Sequence, residues 1–204
     1  MSKTIEVEMR GTLDSSAIPE LVEKILSEGE FVQRKERVLI DYSTCLPEQG
    51  IEGRKLDIRL RNTNKLSEII LKTGAWGGSD ARREYSVKTN DSFDTLVQIY
   101  KLLGLSKGIL CVRNIDVYTY KGVEIALVEV PEHSYFFEAE IELAETEGTE
   151  KAQATLKEVL NELGLVTYTD TEYFTYIELL NKEANTIFDA NQESETYFKD
   201  TFGI

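Results

Sequence analysis

Thr4-Ile5-Glu6-Val7-Glu8-Met9-Arg10-Gly11 alternates with a period of two. Successive side chains of a strand point to opposite faces, so Ile5, Val7 and Met9 share one face and Glu6, Glu8 and Arg10 the other. Alone, this is a half-buried strand with one charged face. The same pattern recurs downstream. Asp57, Arg59, Arg61 and Thr63 share a face opposite Ile58 and Leu60, and Ile70 and Lys72 share one on the next strand. Arg82, Glu84, Ser86 and Lys88 line a face opposite Arg83, Tyr85 and Val87. Arg113 sits mid-strand after Ile109, Leu110, Cys111 and Val112, and Glu138, Glu140 and Glu142 face away from Ala139, Ile141 and Leu143. Two strands therefore supply carboxylates at i, i+2, and at least three supply cations.

Two arrangements satisfy this pattern. In one, the charged faces point to water and the apolar faces pack on helices. In the other, the sheet closes on itself with the charges inside and the apolar faces outside, beneath the helices. A charged interior is costly unless opposite charges, metal ions or a charged ligand compensate it. Paired carboxylates offer the oxygen ligands that Mg²⁺ or Mn²⁺ takes, and Arg and Lys from other strands can clasp phosphate oxygens. Such an interior suits metal-assisted attack on a polyphosphate.

The rest of the chain reads as strands with a few amphipathic helices between them. Asp14-Ser15-Ser16 offers N-cap chemistry to a helix carrying Ile18, Leu21, Val22, Ile25 and Leu26 up to Gly29. Phe31–Tyr42 reads as a long strand, Pro47–Gly53 as an exposed turn, and 56–63 with 66–73 as a hairpin joined through Asn62-Thr63-Asn64. Asp91-Ser92 caps a helix that stops at Gly104. Strands are expected at 107–120, 122–130 and 134–143, and helices at 149–163 and 173–182. The pattern predicts a single α+β domain over residues 1–183, built on an antiparallel sheet or barrel. Residues 184–204 read as an acidic, loosely held C-terminal tail.

Composition narrows the partners. The chain has 204 residues, 41% hydrophobic and 29% charged, with 23 Lys and Arg against 37 Asp and Glu, for a net charge of −14. That is enough apolar material for a core, and the surplus of acid repels nucleic acid and anionic membranes. No run of about 18 apolar residues spans a bilayer. The first residues lack an apolar signal region, and two cysteines are too few for a disulfide framework, so a reduced cytoplasmic setting is expected. His133, the single histidine, reads as a loop residue, and Cys45 and Cys111 lack the spacing of a zinc site. Gly74-Ala75-Trp76-Gly77-Gly78 is either a lid that stacks on a ligand or a loop whose tryptophan packs on the sheet. It has no phosphate-cradling P-loop form.

The ordered set resembles the CYTH family, the triphosphate tunnel metalloenzymes, which includes class IV adenylyl cyclases, thiamine triphosphatases and inorganic triphosphatases. Glu6-Val7-Glu8-Met9-Arg10 is similar to the family's opening Glu-x-Glu-x-Lys, with Arg for Lys. Arg59-Leu60-Arg61, Ile70-Leu71-Lys72, Arg82-Arg83-Glu84, Arg113 and Glu138-Ala139-Glu140 resemble its later elements, and Tyr173–Leu180 resembles its terminal helix. Cys111 stands where the family often has a Lys two residues before the arginine that Arg113 matches. The resemblance implies a closed eight-stranded antiparallel barrel, a tunnel, with helices packed outside. It implies Mg²⁺ or Mn²⁺ on Glu6, Glu8, Glu138 and Glu140, with Glu129 or Glu124 as a fifth acid. Arg59, Arg61, Lys72, Arg82 and Arg113 would bind a triphosphate, and Arg10 and Glu84 would take catalytic roles. The implied activity is hydrolysis of an inorganic, thiamine or nucleoside triphosphate. The alternatives are conversion of ATP to cyclic AMP and pyrophosphate, or a silent polyphosphate-binding module. The expected assembly is a monomer or homodimer.

Overall fold

The computed structural model describes residues 2–46, 51, 54–144 and 148–204, so all but Ile51 of the turn expected at Pro47–Gly53 lies outside the described residues. Strands β1 (Ser2–Leu13), β2 (Gly29–Asp41), β3 (Leu56–Thr63), β4 (Leu66–Thr73), β5 (Ser79–Thr89), β6 (Lys107–Tyr120), β7 (Val123–Val130) and β8 (Ser134–Leu143) pair antiparallel in the order β2-β3-β4-β5-β1-β8-β7-β6. Pairing of β2 with β6, from Gly29 opposite Tyr120 to Asp41 opposite Ile109, closes the eight strands into a ring. Tight turns set the register. Asn64 and Lys65 (φ 50° and 69°) join β3 to β4, and Lys121 and Gly122 (φ 50° and 81°) join β6 to β7. Positive φ at both central residues marks the turns whose twist matches paired strands. The first of these turns sits one residue beyond the expected Asn62-Thr63-Asn64, because Asn62 and Thr63 still pair with β4.

Two apolar clusters lie outside the ring, and a smaller third, with Ile115, Ala126 and Val128, faces the lumen. Ile5, Val7 and Met9 of β1 pack with Leu21 and Ile25 of α1 (Ile18–Glu28) and with Leu156 and Leu160 of α3 (Thr149–Leu163). On the other side, Ile40 and Leu60 pack with Phe93, Leu96 and Val97 of α2 (Phe93–Leu102). Each such side chain contributes roughly 1.5–3 kcal/mol by leaving water. The period-two apolar residues are therefore spent on the outer surface, and the charged set turns inward. Among the described residues no helix is long and apolar enough to cross a membrane.

The C-terminal segment differs from the expectation of a loosely held tail. After α4 (Asp170–Glu183), β9 (Thr186–Asp189) pairs antiparallel with Lys107–Leu110 of β6, and α5 (Tyr197–Phe202) packs on α2. Phe198 is fully buried, 4.8 Å from the Phe93 ring and 5.1 Å from that of Phe188. The Asp94 carboxylate accepts the backbone N–H groups of Phe198 and Lys199 at 2.9 and 3.0 Å, satisfying donors that the start of α5 would otherwise leave free. The aromatics spaced among the acids supply the apolar face that the overall composition hides.

Candidate active site in the ring lumen

The ring encloses a cavity of about 490 Å³. The β1–β8 register sets Glu8 opposite Glu140, with Glu6 two residues along the same face. One carboxylate oxygen from each of Glu6, Glu8 and Glu140 lies within 4.8 Å of the other two. Glu6 and Glu8 have cations close by. Lys72 is ion-paired with Glu6 and stands 3.2 Å from Glu84. Arg10 is ion-paired with Glu8, reaches Asp80 at 2.9 Å and Glu138 at 3.6 Å, and donates to the Gly77 carbonyl at 2.8 Å. Burial pushes the Glu8 carboxyl up to about 7 against the pull of Arg10. Burial, followed by the charges of Glu8 and Glu6, holds Glu140 well above the usual carboxylate range. Burial alone would lower the Lys72 ammonium, but Glu6, Glu8 and Glu84 together keep it above its ordinary value. The acid cluster is thus short of positive charge, although basic residues surround it.

A second charged cluster underlies the first. Asp57, fully buried, meets Arg59 at 2.6 Å, Arg82 at 2.6 Å and Arg54 at 3.3 Å. Burial would raise its carboxyl, but the three guanidinium groups outweigh that and hold it well below the usual range. Arg54 also donates to Asp41 at 2.7 Å and lies 4.2 Å from the centre of the Trp76 ring. The tryptophan is buried, 5.2 Å from Tyr173, and lines the cavity.

α4 covers one end of the lumen, to which it turns Tyr173, Tyr176, Ile177 and Leu180. Its capping box, Thr169 with Glu172, starts the helix three residues before the expected Tyr173. The approach is tight. Tyr168 N–H donates to the Arg10 carbonyl at 2.8 Å, and Gly78 N–H to Asp170 Oδ1 at 3.0 Å. A Cβ on Gly78 would sit 2.4 Å from the Tyr168 carbonyl oxygen, so glycine is required there, and one on Gly77 would sit 2.2 Å from Asp170 Oδ1 and displace that carboxylate.

No family model and no curated sequence matches the chain. Solved structures do. The PH1819 protein of Pyrococcus horikoshii is 25% identical, over 87% of this chain and 99% of that one, with a TM-score of 0.67. The PH1012 protein of the same organism is 18% identical, over 79% and 91%, at 0.63. A "putative adenylate cyclase" of Vibrio parahaemolyticus is 13% identical, over 83% and 92%, at 0.58. The chain shares its fold with these three proteins.

Within this fold, most of the residues singled out from the sequence meet in the lumen. Glu6, Glu8, Arg10, Arg59, Arg61, Lys72, Glu84, Arg113, Glu138 and Glu140 all line it. Arg61 is held by Glu68 at 2.6 Å, and Arg113 donates to Asn185 Oδ1 at 2.8 Å. Two residues depart from expectation. Arg82 is 2% exposed and is not among the residues that line the cavity; it is bonded to Asp57 and stands 3.3 Å from Asp80. Glu129 is corrected more sharply. It lies opposite Tyr135 on the outer face and accepts from Asn114 at 2.9 Å and Tyr135 at 3.3 Å. Its odd position on β7 turns it away from the lumen, whereas Glu124, opposite Glu140, lines the cavity.

Lys35 and Arg37 of β2 also line the lumen and escape the sequence reading. Burial, with Arg61 nearby, pushes the Arg37 guanidinium down to about 10. The stretch Arg34-Lys35-Glu36-Arg37 is charged at every position, so its faces cannot be told apart by alternation. The apolar Val38 and Ile40 beyond it give the parity, since both face the outer cluster.

Proposed function

We propose that the protein is a metal-dependent triphosphate-processing enzyme and that its reaction is hydrolysis. The observation that supports this most directly is the Glu6–Glu8–Glu140 cluster, two of its acids buried and the third half-buried, lining one cavity with cationic side chains of β2, β3, β4 and β6. Its donors are all oxygen, and the raised carboxyls of Glu8 and Glu140 mark a place short of positive charge. Both features fit a hard divalent cation such as Mg²⁺ or Mn²⁺. Glu6, Glu8 and Glu140 would hold it, with Glu138 alongside. When bound, such an ion neutralises phosphate oxygens and favours attack at phosphorus.

The chain's own residues would do the rest. Arg59, Arg61, Lys72 and Arg113, joined by Lys35 and Arg37, would hold the triphosphate in line and take up the charge that develops as its terminal P–O bond breaks. Arg10 would not act as a base, since a guanidinium keeps its proton; tied to Glu8, Asp80 and the Gly77 carbonyl, it would position Glu8. Glu84 would orient Lys72 in the same way. The second reading is a cyclase that joins the ribose 3′-oxygen to the α-phosphorus of ATP. It is supported by the fold shared with the Vibrio protein and by the apolar and aromatic side chains, Phe136 and Tyr176 among them, that line part of the lumen.

Incubating the protein with inorganic triphosphate, thiamine triphosphate and ATP, with Mg²⁺ and separately with Mn²⁺, tests the proposal. Orthophosphate release supports hydrolysis, and cyclic AMP with pyrophosphate supports the cyclase. Binding without turnover would reduce the protein to a binding module. Absence of binding to all three would overturn the reading.

A further inference from the structure

The single histidine sits at the outer end of a run of hydrogen bonds that reaches the lumen. His133 ends the turn between β7 and β8, where its backbone N–H donates to the Val130 carbonyl at 3.0 Å. Its Nε2 stands 3.4 Å from the carboxylate of Glu183, the last residue of α4, and its Nδ1 lies 2.8 Å from Ser134 Oγ. Ser134 Oγ in turn lies 2.9 Å from the Tyr176 hydroxyl, and Tyr176 lines the cavity. The Tyr176 ring is held by Tyr168, stacked at 5.5 Å, and by Phe136 at 5.8 Å. Burial raises its phenol, and Ser134 and the charge of Arg113 work against that rise, which places Arg113 within reach of the same oxygen.

The directions of these bonds are coupled, because a hydroxyl carries one hydrogen and an imidazole one or two. With His133 neutral and Nε2–H donating to Glu183, Nδ1 can only accept. Ser134 then gives its hydrogen to Nδ1 and accepts that of Tyr176, which leaves the lumen only the lone pairs of the phenol oxygen. A protonated His133 donates from both nitrogens. Ser134 Oγ then accepts from Nδ1, its own hydrogen is free to turn to the Tyr176 oxygen, and the Tyr176 hydrogen is released to the lumen. Phenol lone pairs repel a phosphate oxygen, whereas a phenol O–H donates to it. Histidine is the side chain whose charge ordinarily changes between about pH 5 and 8. Among the described residues, Glu183 is the charged group paired with His133, Glu132 precedes it in the turn, and Arg113 stands beyond Tyr176.

We propose that Tyr176 is a further binding residue for the triphosphate, and that His133, a positioning residue at the outer end of the run, sets whether the Tyr176 hydroxyl donates to the ligand. This rests on the triphosphate-processing reading above and adds a contact governed by pH.

The test is the cost of Tyr176→Phe in the Kd of inorganic triphosphate with Mg²⁺. It is measured on the full chain at about pH 5.5 and about pH 8, either side of the ordinary histidine value of about 6.5. Phe keeps the ring and removes only the hydroxyl. The substitution is expected to weaken binding about 10-fold or more at the lower pH, as loss of a hydrogen bond to a charged group provides, and less than about 2-fold at the higher. Gln does not titrate, so in a His133→Gln background the cost of Tyr176→Phe should be the same at both pH values. Ser134→Ala cuts the run between the two, should have the same effect, and carries the test should His133→Gln not fold. Glu8, Glu140 and the triphosphate itself titrate as well, but they do so in every variant and cancel from the ratio. A cost of Tyr176→Phe that is absent, that is equal at both pH values without a second substitution, or that keeps its pH dependence in both backgrounds would overturn the inference while leaving triphosphate processing intact. Failure of the unsubstituted protein to bind triphosphate at either pH would instead overturn triphosphate processing, and the inference with it.

Discussion

Burial first, and neighbouring acids after it, hold the Glu8 and Glu140 carboxyls above the usual carboxylate range. Glu8 rises from 4.5 to about 7 on folding, so its contribution to stability is complete below about pH 4.5 and is lost as the pH rises through 7. Asp57, Asp80 and Glu84 are shifted the other way, and their contributions are present above their unfolded values near 4 and lost in stronger acid. The metal-free protein is therefore expected to be most stable in mild acid. Mn²⁺ should raise the Tm much more at pH 8 than at pH 5.5, because acid leaves protons where the ion must bind; thermal unfolding at the two pH values checks this. Glu140→Gln should stabilise the metal-free protein at pH 8 by relieving repulsion, yet cut metal-dependent turnover on the order of 100-fold. Urea titration beside a metal-activation curve reads both effects, and unchanged turnover would remove Glu140 from the site. Asp57→Asn should cost about 3–5 kcal/mol in urea unfolding, since it leaves Arg54, Arg59 and Arg82 around an uncharged side chain.

Legibility varies from element to element for physical reasons. β1, β3 and β8 declare both faces because apolar and charged residues alternate strictly, so alternation alone places Glu6, Arg59 and Glu138 on the charged face. β2 does not, as its charges fall on consecutive residues. β7 is apolar on both faces, which leaves Glu124 and Glu129 without a rule to choose between them; only pairing with β8 decides it. Arg54 lies outside every strand, and its burial against Asp41, Asp57 and Trp76 comes from tertiary approach alone. The C-terminal segment is hidden by its acidity, although Phe188, Tyr197, Phe198 and Phe202 do the packing. Phe198→Ala is accordingly expected to cost about 3–5 kcal/mol in urea unfolding. A loss under about 1 kcal/mol would mean that β9 and α5 are dispensable.

At the scale of the whole molecule, little of the net charge of −14 falls on the lumen, where acids and bases line the cavity in nearly equal number. Among the cations, Arg59, Arg61, Lys72 and Arg113 point inward, whereas α3 and α4 carry acids such as Glu158 and Glu172 on exposed positions. Position rather than sum governs what a small ligand meets. Arg59→Glu should weaken triphosphate binding at least about 10-fold, as loss of a charge-assisted hydrogen bond of about 1.5–3 kcal/mol requires, while Lys157→Glu on exposed helix surface should leave it unchanged. Equilibrium binding at fixed ionic strength compares the two.

Ring closure between β2 and β6 also bears on the order of synthesis. When β2 through β5 have left the ribosome, the nascent chain holds a partial sheet with β1 on its edge, and the strand that seals it has yet to be made. Pairing so distant along the chain is slow to form. Meanwhile the concave surface of the partial sheet is charged and can be wetted, so the exposed apolar strip is limited to the outer side, where α1 already lies over β1. Turning the charges inward thus makes the unfinished sheet tolerable to water as well as making the finished one receptive to a ligand.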